Sequence, residues 1–260
     1  MDKIIQKIIK NKTTCVLVSP HMDDVIFSAG GLLSELAGKV PVKVVNVFTS
    51  PGDGISTLSA RAFLKQCRAV SPQRLFENRK KEDEKALSIL NIRPVYLDKT
   101  DALWRKNNSV DRFTFRLLKL MPELVSLYPT YRFHVSSGRL HTQDRILCKL
   151  LAWEIKKHLP KDGNYMIFCP LGMGGHVDHV IVRDACSGFA PKVIYWSDYP
   201  YLLENHPDQD FIKKNRLKSE SLYYHKSERL MLSRVYQTQF EQVVHCPETL
   251  ELPEIYYVKN

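Results

Sequence analysis

The stretch Ser19-Pro20-His21-Met22-Asp23-Asp24 puts one imidazole and two carboxylates within four residues. Imidazole and carboxylate are ligands that suit a divalent ion such as zinc. The stretch follows the apolar run Cys15-Val16-Leu17-Val18, which reads as a buried strand. It precedes Val25 to Leu33, which reads as the start of a helix. The carboxyl end of a strand is where an open α/β sheet binds its ligands. An Asp that merely caps the next helix accounts for one carboxylate and leaves the other, and the His, unexplained. Gly174-Gly175-His176-Val177-Asp178-His179 repeats this chemistry after a second apolar run, Tyr165 to Cys169. The two glycines let the backbone approach an ion or substrate closely.

The elements that must position these clusters follow a β-α-β rhythm. An amphipathic first helix over residues 1–10 leads to the strand at about 15–20 and a helix to about Leu36. Val42 to Phe48 predicts a second strand, residues 56–70 and 74–90 two helices, and Pro94 to Asp98 a third strand. Residues 98–108 read as a polar loop near the site carrying Trp104. Asp111 to Tyr128 reads as helical and Arg132 to Val135 as a brief strand. Thr142 to Leu159 is an amphipathic helix, Tyr165 to Cys169 a strand, and the helix after the second cluster runs to about Cys186. Val193 to Asp198 is a further strand, Lys226 to Gln237 a helix, and Ile255 to Val258 an edge strand. The expected fold is α/β: a Rossmann-like, doubly wound, mostly parallel sheet with helices on both faces, spanning residues 1–260 as one domain.

Composition narrows the class. Hydrophobic residues at 44% and charged residues at 25% describe an ordinary globular chain. No apolar run approaches the roughly 18 to 20 residues that span a bilayer, and the N-terminus lacks the uninterrupted apolar core of a signal peptide. The net charge of +10 is spread over several segments, with no zinc-finger spacing or aromatic RNA signature, so a solvated basic surface is expected rather than a nucleic-acid footprint. Six cysteines are scattered without a C-x-x-C pair, which fits a reduced protein of the cytoplasm.

Pro20-His21-Met22-Asp23-Asp24 followed by Gly30-Gly31, with Gly175-His176-Val177-Asp178-His179 later, resembles the PIG-L/LmbE-like zinc-dependent N-deacetylases. Two further stretches add to the resemblance: Arg79-x-x-Glu82-x-x-x-Ala86, and Lys226 through Tyr236-Gln237-Thr238-Gln239, where Thr238 stands in place of the usual Ser. The resemblance implies a zinc ion, or another divalent ion such as Fe²⁺, held by His21, Asp24 and His179. Asp23 is then the general base for a zinc-bound water that attacks an acetamide carbonyl. It implies that His176 assists the oxyanion or the leaving amine, with Asp178 orienting His176 and keeping it protonated. Arg79 is implied as a binder of sugar hydroxyls, and Trp104, Tyr199 and Tyr201 are expected as aromatic pocket walls. The implied substrate is a small N-acetylated amino-sugar conjugate in a bacterial biosynthetic pathway such as aminoglycoside-type antibiotic assembly. The chain departs from the family at Met22, Val177 and Gly174, and at Val25 where a Glu is usual; Val25 is therefore expected to mark a changed substrate preference.

Two readings compete. The same zinc chemistry serves an amidase acting on a non-sugar amide. A nucleic-acid or polyanion binder with a structural metal uses the positive charge, but three ligands leave an open position where a structural zinc is closed by four. No Gly-x-Ser-x-Gly elbow supports serine hydrolysis. A homo-oligomer is compatible with the sequence.

Overall fold

The computed structural model describes residues 1–53, 55–107, 121–223 and 225–260. The elements run α1 (Asp2–Lys10), β1 (Thr14–Ser19), α2 (Asp24–Leu36), β2 (Val42–Asn46), α3 (Leu58–Gln66), α4 (Pro72–Ser88), β3 (Val95–Tyr96), α5 (Pro122–Val125), α6 (Thr142–His158), β4 (Tyr165–Pro170), α7 (Val177–Ser187), β5 (Val193–Trp196), α8 (Gln209–Asn215), β6 (Leu217–Leu222), α9 (Lys226–Ser233), α10 (Phe240–Val243) and β7 (Glu254–Lys259). The strands form one sheet in the order β3-β2-β1-β4-β5-β7-β6. The first five of that order are parallel, and β7 is antiparallel to both of its neighbours.

Strand period fixes the layers. On β1, Cys15 and Leu17 belong to one buried cluster and Val16 and Val18 to another; on β4, Phe168 joins the first and Ile167 and Cys169 the second. Alternate residues of a strand point to opposite faces, so strands apolar on both sides demand a cover on both. Helices α1 and α2 cover one face through Ile5, Ile8, Ile26 and Leu33, and α6 and α7 the other through Leu151, Ile155, Ile181 and Val182. The chain moves from β1 outward to β2 and β3, then returns to place β4 on the far side of β1. The strand order therefore reverses between β1 and β4, and the crevice outside their carboxyl ends is where such sheets take ligands. Both sequence clusters follow those two strands. A third cluster, with Met22, Leu75, Phe76, Leu103 and Val177, packs at that end.

Gly30 and Gly31 have a structural purpose. Helix α2 breaks at Ala29 (φ −141°), and Glu254 of β7 accepts from the freed N–H groups of Gly31 (2.6 Å) and Leu32 (3.0 Å). Arg229 donates from Nε to the Phe27 carbonyl (2.8 Å), and a Cβ at Gly30 would lie 3.2 Å from its side chain. The C-terminal elements thus clamp the helix that begins at His21-Met22-Asp23-Asp24.

The structure departs from the sequence expectations in four places. Residues 131–135 form a single π-helical turn, not a strand, closed by the Val135 and Ser136 N–H groups on Thr130 and Tyr131. Of the helix expected over 111–128, residues 111–120 lie outside the described residues and only Pro122–Val125 is helical. The strand β6, polar in sequence, was not anticipated; it is the exposed edge. β7 consequently lies inside the sheet between β5 and β6 rather than at its edge. Among the described residues no helix is long and apolar enough to cross a membrane. All six cysteines are free.

Candidate active site

The turn after β1 is built by its own side chains. Ser19 Oγ donates to the His21 carbonyl (2.7 Å) and accepts from Val25 N–H (3.1 Å), while Asp24 Oδ2 accepts from His21 N–H (2.8 Å). Asp23 occupies the N-cap of α2 but makes no capping hydrogen bond, so the capping explanation fails for it. After β4, His176 caps α7: its Nδ1 accepts from Asp178 N–H (3.3 Å).

These two turns bring His21, Asp24 and His179 together. The Asp24 Oδ2 atom lies 3.1 Å from His21 Nδ1 and 3.4 Å from His179 Nε2, and potential ligand atoms of the three residues lie within 4.8 Å of one another. Each imidazole has a carboxylate on its far nitrogen. His21 Nε2 is 3.2 Å from Asp178 Oδ2 and 3.5 Å from Asp101 Oδ2, and His179 Nδ1 is 2.6 Å from Asp198 Oδ1. With an ion bound, those partners would take the N–H of each ring and leave the other nitrogen's lone pair for the ion, the arrangement that orients metal-binding histidines. A second grouping, His21 with His176 and Asp178, is also compact. Its Asp178 is fully buried and engaged by Arg105 and by Ala102 N–H (3.0 Å), so the first set is the better cation site.

The charge of the site agrees. Against the effect of burial, Asp24 and then the hydrogen bonds to Asp178 and Asp24 raise the His21 pKa well above its ordinary value; Asp24 and Asp198 raise that of His179. A field that holds protons on two imidazoles also favours a cation between them. Two imidazoles and one carboxylate are a donor set for zinc or another divalent transition ion. Burial and the neighbouring Asp24 push the Asp23 carboxyl up to about 6, opposed by Arg79 and His21.

Several expectations are corrected. The Asp178 carboxylate does not orient His176; it holds His21 Nε2 and is itself held by Arg105. Nor is His176 kept protonated: burial and the proximity of His21 hold its pKa well below the ordinary value. Trp104 does not line the cavity over the candidate ligand set; it is a buried residue packed edge-on against Phe76 with Nε1 donating to Ser56 Oγ (3.0 Å). Val25 is fully buried in the core cluster beneath α2 and does not line the cavity. The glycines of the second cluster serve packing. A Cβ at Gly174 (φ +73°) would lie 2.4 Å from the Tyr201 ring, and one at Gly175 3.0 Å from Gly138 N.

A cavity of about 500 Å³ opens over the ligand set, within the range of small-molecule sites. Asp23, Arg79, His176, Tyr199 and Tyr201 line it as the sequence anticipated, and Tyr131 and Gln239 join them unanticipated. Arg79 is 7% exposed, lies 5.2 Å over the Phe63 ring, and has an unpartnered Nε. Its helix and the C-terminal segment are joined directly. Glu82 accepts from Thr238 N–H (2.9 Å) and Oγ1 (2.6 Å), and Asp83 accepts from Tyr236 OH (2.9 Å). The two weaker sequence matches are thus one contact, and Thr238 in place of Ser keeps the hydroxyl it needs.

Asp83 also accepts from Asn46 Nδ2 and Tyr96 OH (both 2.8 Å), yet burial pushes its carboxyl up to about 7. The folded chain keeps this proton to about pH 7, whereas the unfolded chain releases it near pH 4. The contribution to stability is therefore full below pH 4 and lost as pH rises through 7, about 4 kcal/mol in all. Asp83→Asn cannot titrate. Thermal unfolding of metal-stripped protein should show the Tm of the variant rising relative to the parent between pH 5 and pH 8; a constant gap would place the proton elsewhere.

Comparison with curated protein sequences finds no match. Among solved structures, a deacetylase of the teicoplanin biosynthesis pathway, as its complex named deacetylase-bog, superposes with a TM-score of 0.70 at 18% identity, over 94% of this chain and 97% of that one. The zinc-inhibited form of teicoplanin deacetylase gives 0.68 at 17%, over 94% and 97%. The A40926 pseudoaglycone deacetylase gives 0.68 at 17%, over 95% and 97%. At such identities the likeness establishes the fold. The family model of PIG-L, described as GlcNAc-PI de-N-acetylase, matches residues 16–190, well over half of the chain and both clusters. The chain therefore belongs to the PIG-L family and is an N-deacetylase, a hydrolase of amide bonds.

Proposed function

We propose that this protein is a metal-dependent deacetylase, folded as one unit over residues 1–260, that removes the acetyl group of an N-acetylated amino-sugar conjugate. The observation that carries the reading is the pair of imidazoles, each backed by a carboxylate, meeting Asp24 at the floor of the cavity. His21, Asp24 and His179 would hold the ion, zinc by the chemistry of the donors. When bound, such an ion polarises a carbonyl and acidifies water. Asp23, adjacent to the set and free of any capping bond, takes the proton of the attacking water and passes it to the departing amine. His176 donates rather than titrates. Its Nδ1 accepts from a backbone N–H, so the neutral ring carries its proton on Nε2 and offers it to the oxygen on which charge develops. Asp178 serves as the acceptor that fixes the tautomer of His21. Arg79 and the aromatic walls Tyr199 and Tyr201 are placed to receive the sugar.

The first fold neighbour named above is a deacetylase of the teicoplanin biosynthesis pathway, which supports a biosynthetic pathway for this chain, glycosylated antibiotics of the aminoglycoside type included. Metal analysis combined with acetate release across N-acetyl amino sugars and non-sugar acetamides tests the reading. The parent should carry about one equivalent of metal, lose activity on chelation, and prefer the sugars. His21→Ala should lose both metal and activity. Equal rates on acyclic acetamides would favour a general amidase, and no release from any substrate would end the proposal.

A further inference from the structure

Gln239 is 1% exposed and lines the cavity that holds His21 and Asp23, yet neither Oε1 nor Nε2 has a hydrogen-bond partner in the protein. Buried side-chain amides are ordinarily paired, and one with both ends unpaired needs a reason. Its backbone leaves it no means of escape. Thr238 is fastened to Glu82 and Tyr236 to Asp83, and the Gln239 N–H donates to the Tyr236 carbonyl (3.0 Å). A leucine of similar length would fill the same space without burying unpaired polar atoms. Retaining an amide there weakens the fold and is recovered only through a ligand.

The chemistry of that ligand follows from the group. A fixed amide presents one acceptor and one double donor in a plane. Two neighbouring hydroxyls match it: one donates to Oε1 while the next accepts from Nε2. A single hydroxyl leaves one end unpaired, and an apolar ring leaves both. Arg79, which lines the same cavity, has a second orphan in its Nε, and its guanidinium carbon lies 5.2 Å from the centre of the Phe63 ring. We infer that Gln239 is a specificity-determining residue that reads vicinal hydroxyls on the amine-bearing half of the substrate. This rests on the deacetylase reading above.

Gln239→Leu tests it on the metal-loaded enzyme with two acetamides, N-acetylglucosamine and the hydroxyl-free N-acetylcyclohexylamine. On the sugar, kcat/KM should fall about 10- to 100-fold, mainly through KM, because a site built for hydroxyls is left mismatched. On the cyclohexyl amide it should be unchanged. The Tm should hold or rise, since an unpaired buried amide has been removed. Equal losses on both amides, or a Tm lowered by several degrees, would make Gln239 structural and overturn the inference; so would unchanged kinetics on both. Calorimetric binding of glucosamine and cyclohexylamine separates this from the parent reading. Should the parent protein release acetate from neither amide, the deacetylase proposal fails. Weaker glucosamine binding in Gln239→Leu, with cyclohexylamine unaffected, would still support the amide's role, and equal or absent glucosamine binding in both proteins would overturn it.

Discussion

Asp23→Asn should keep its metal and lose nearly all turnover, with kcat falling by about 10²- to 10⁴-fold, the range a positioned general base supplies. The asymmetry between the two neighbouring acids makes the test sharp. Asp24 lies 3.1 Å and 3.4 Å from the two imidazoles and belongs to the proposed ligand set. Asp23 lines the cavity but makes no capping bond at the start of α2, so the fold does not depend on its charge. Asn is as good an N-cap as Asp, and the variant should melt within a degree or two of the parent or above it. Metal content, melting and single-turnover acetate release measured on the same sample decide the matter. A variant that loses its ion would move Asp23 into the ligand set. One that stays fully active would transfer the proton-accepting role to another group. His21→Ala provides the contrast, since it should lose ion and activity together.

How much of this was legible in the sequence depended on the distance between partners. His21, Asp23 and Asp24 stand within four residues, and His176, Asp178 and His179 within another four, so each cluster announces itself without knowledge of the fold. The rule that ligands gather at strand carboxyl ends puts the two clusters at comparable places, and the family resemblance supplies the ligand set that joins them. Asp198 follows β5 and obeys that rule too; the signal was present at the end of Val193 to Asp198, and only the lack of an adjacent His hid it. Asp101 and Arg105 were not legible, because their meaning lies in contacts with residues more than seventy positions away. Gln239 was visible as a motif letter but not as an orphaned amide, which only burial reveals. The errors follow the same logic. Trp104 is expected in the pocket from the polar loop around it, and Val25 as a substrate-preference position from the family's usual Glu, whereas tertiary packing turns both inward. Arg132 to Val135 has strand-forming residues, but among the described residues it pairs with no strand, and local hydrogen bonds close Tyr131–Val135 into a turn. β6 is polar because it is an edge, and edges hide from hydrophobic patterns.

Arg105→Met should be the most damaging single change to stability outside the core. Arg105 is 8% exposed, and its guanidinium joins two buried carboxylates: it donates from Nη1 to Asp144 Oδ2 (2.7 Å) and from Nη2 to Asp178 Oδ1, and lies 4.7 Å over the Phe48 ring. Against the effect of burial, Asp178 and Asp144 raise its proton affinity further, and Arg105 in turn holds Asp178 well below the ordinary carboxylate range. Methionine fills the space and removes the charge, leaving two carboxylates buried. Removing one partner from such a set is worth about 3–5 kcal/mol, which for a chain of this size lowers Tm by about 10 °C. The damage should also reach the ion. Asp178 is the acceptor for His21 Nε2; without Arg105 it is driven toward its protonated form and no longer fixes that ring. Loss of such a backing carboxylate typically weakens metal binding 10- to 100-fold. Arg105→Lys, which retains charge but not the two-armed fork, should fall between the two in both Tm and metal affinity. Measuring metal affinity by competition with a chromogenic chelator, alongside melting of the metal-free protein, separates the two effects. A melting temperature that drops while metal affinity holds would show that Arg105 supports the fold alone, and that His21 is oriented by Asp101 instead.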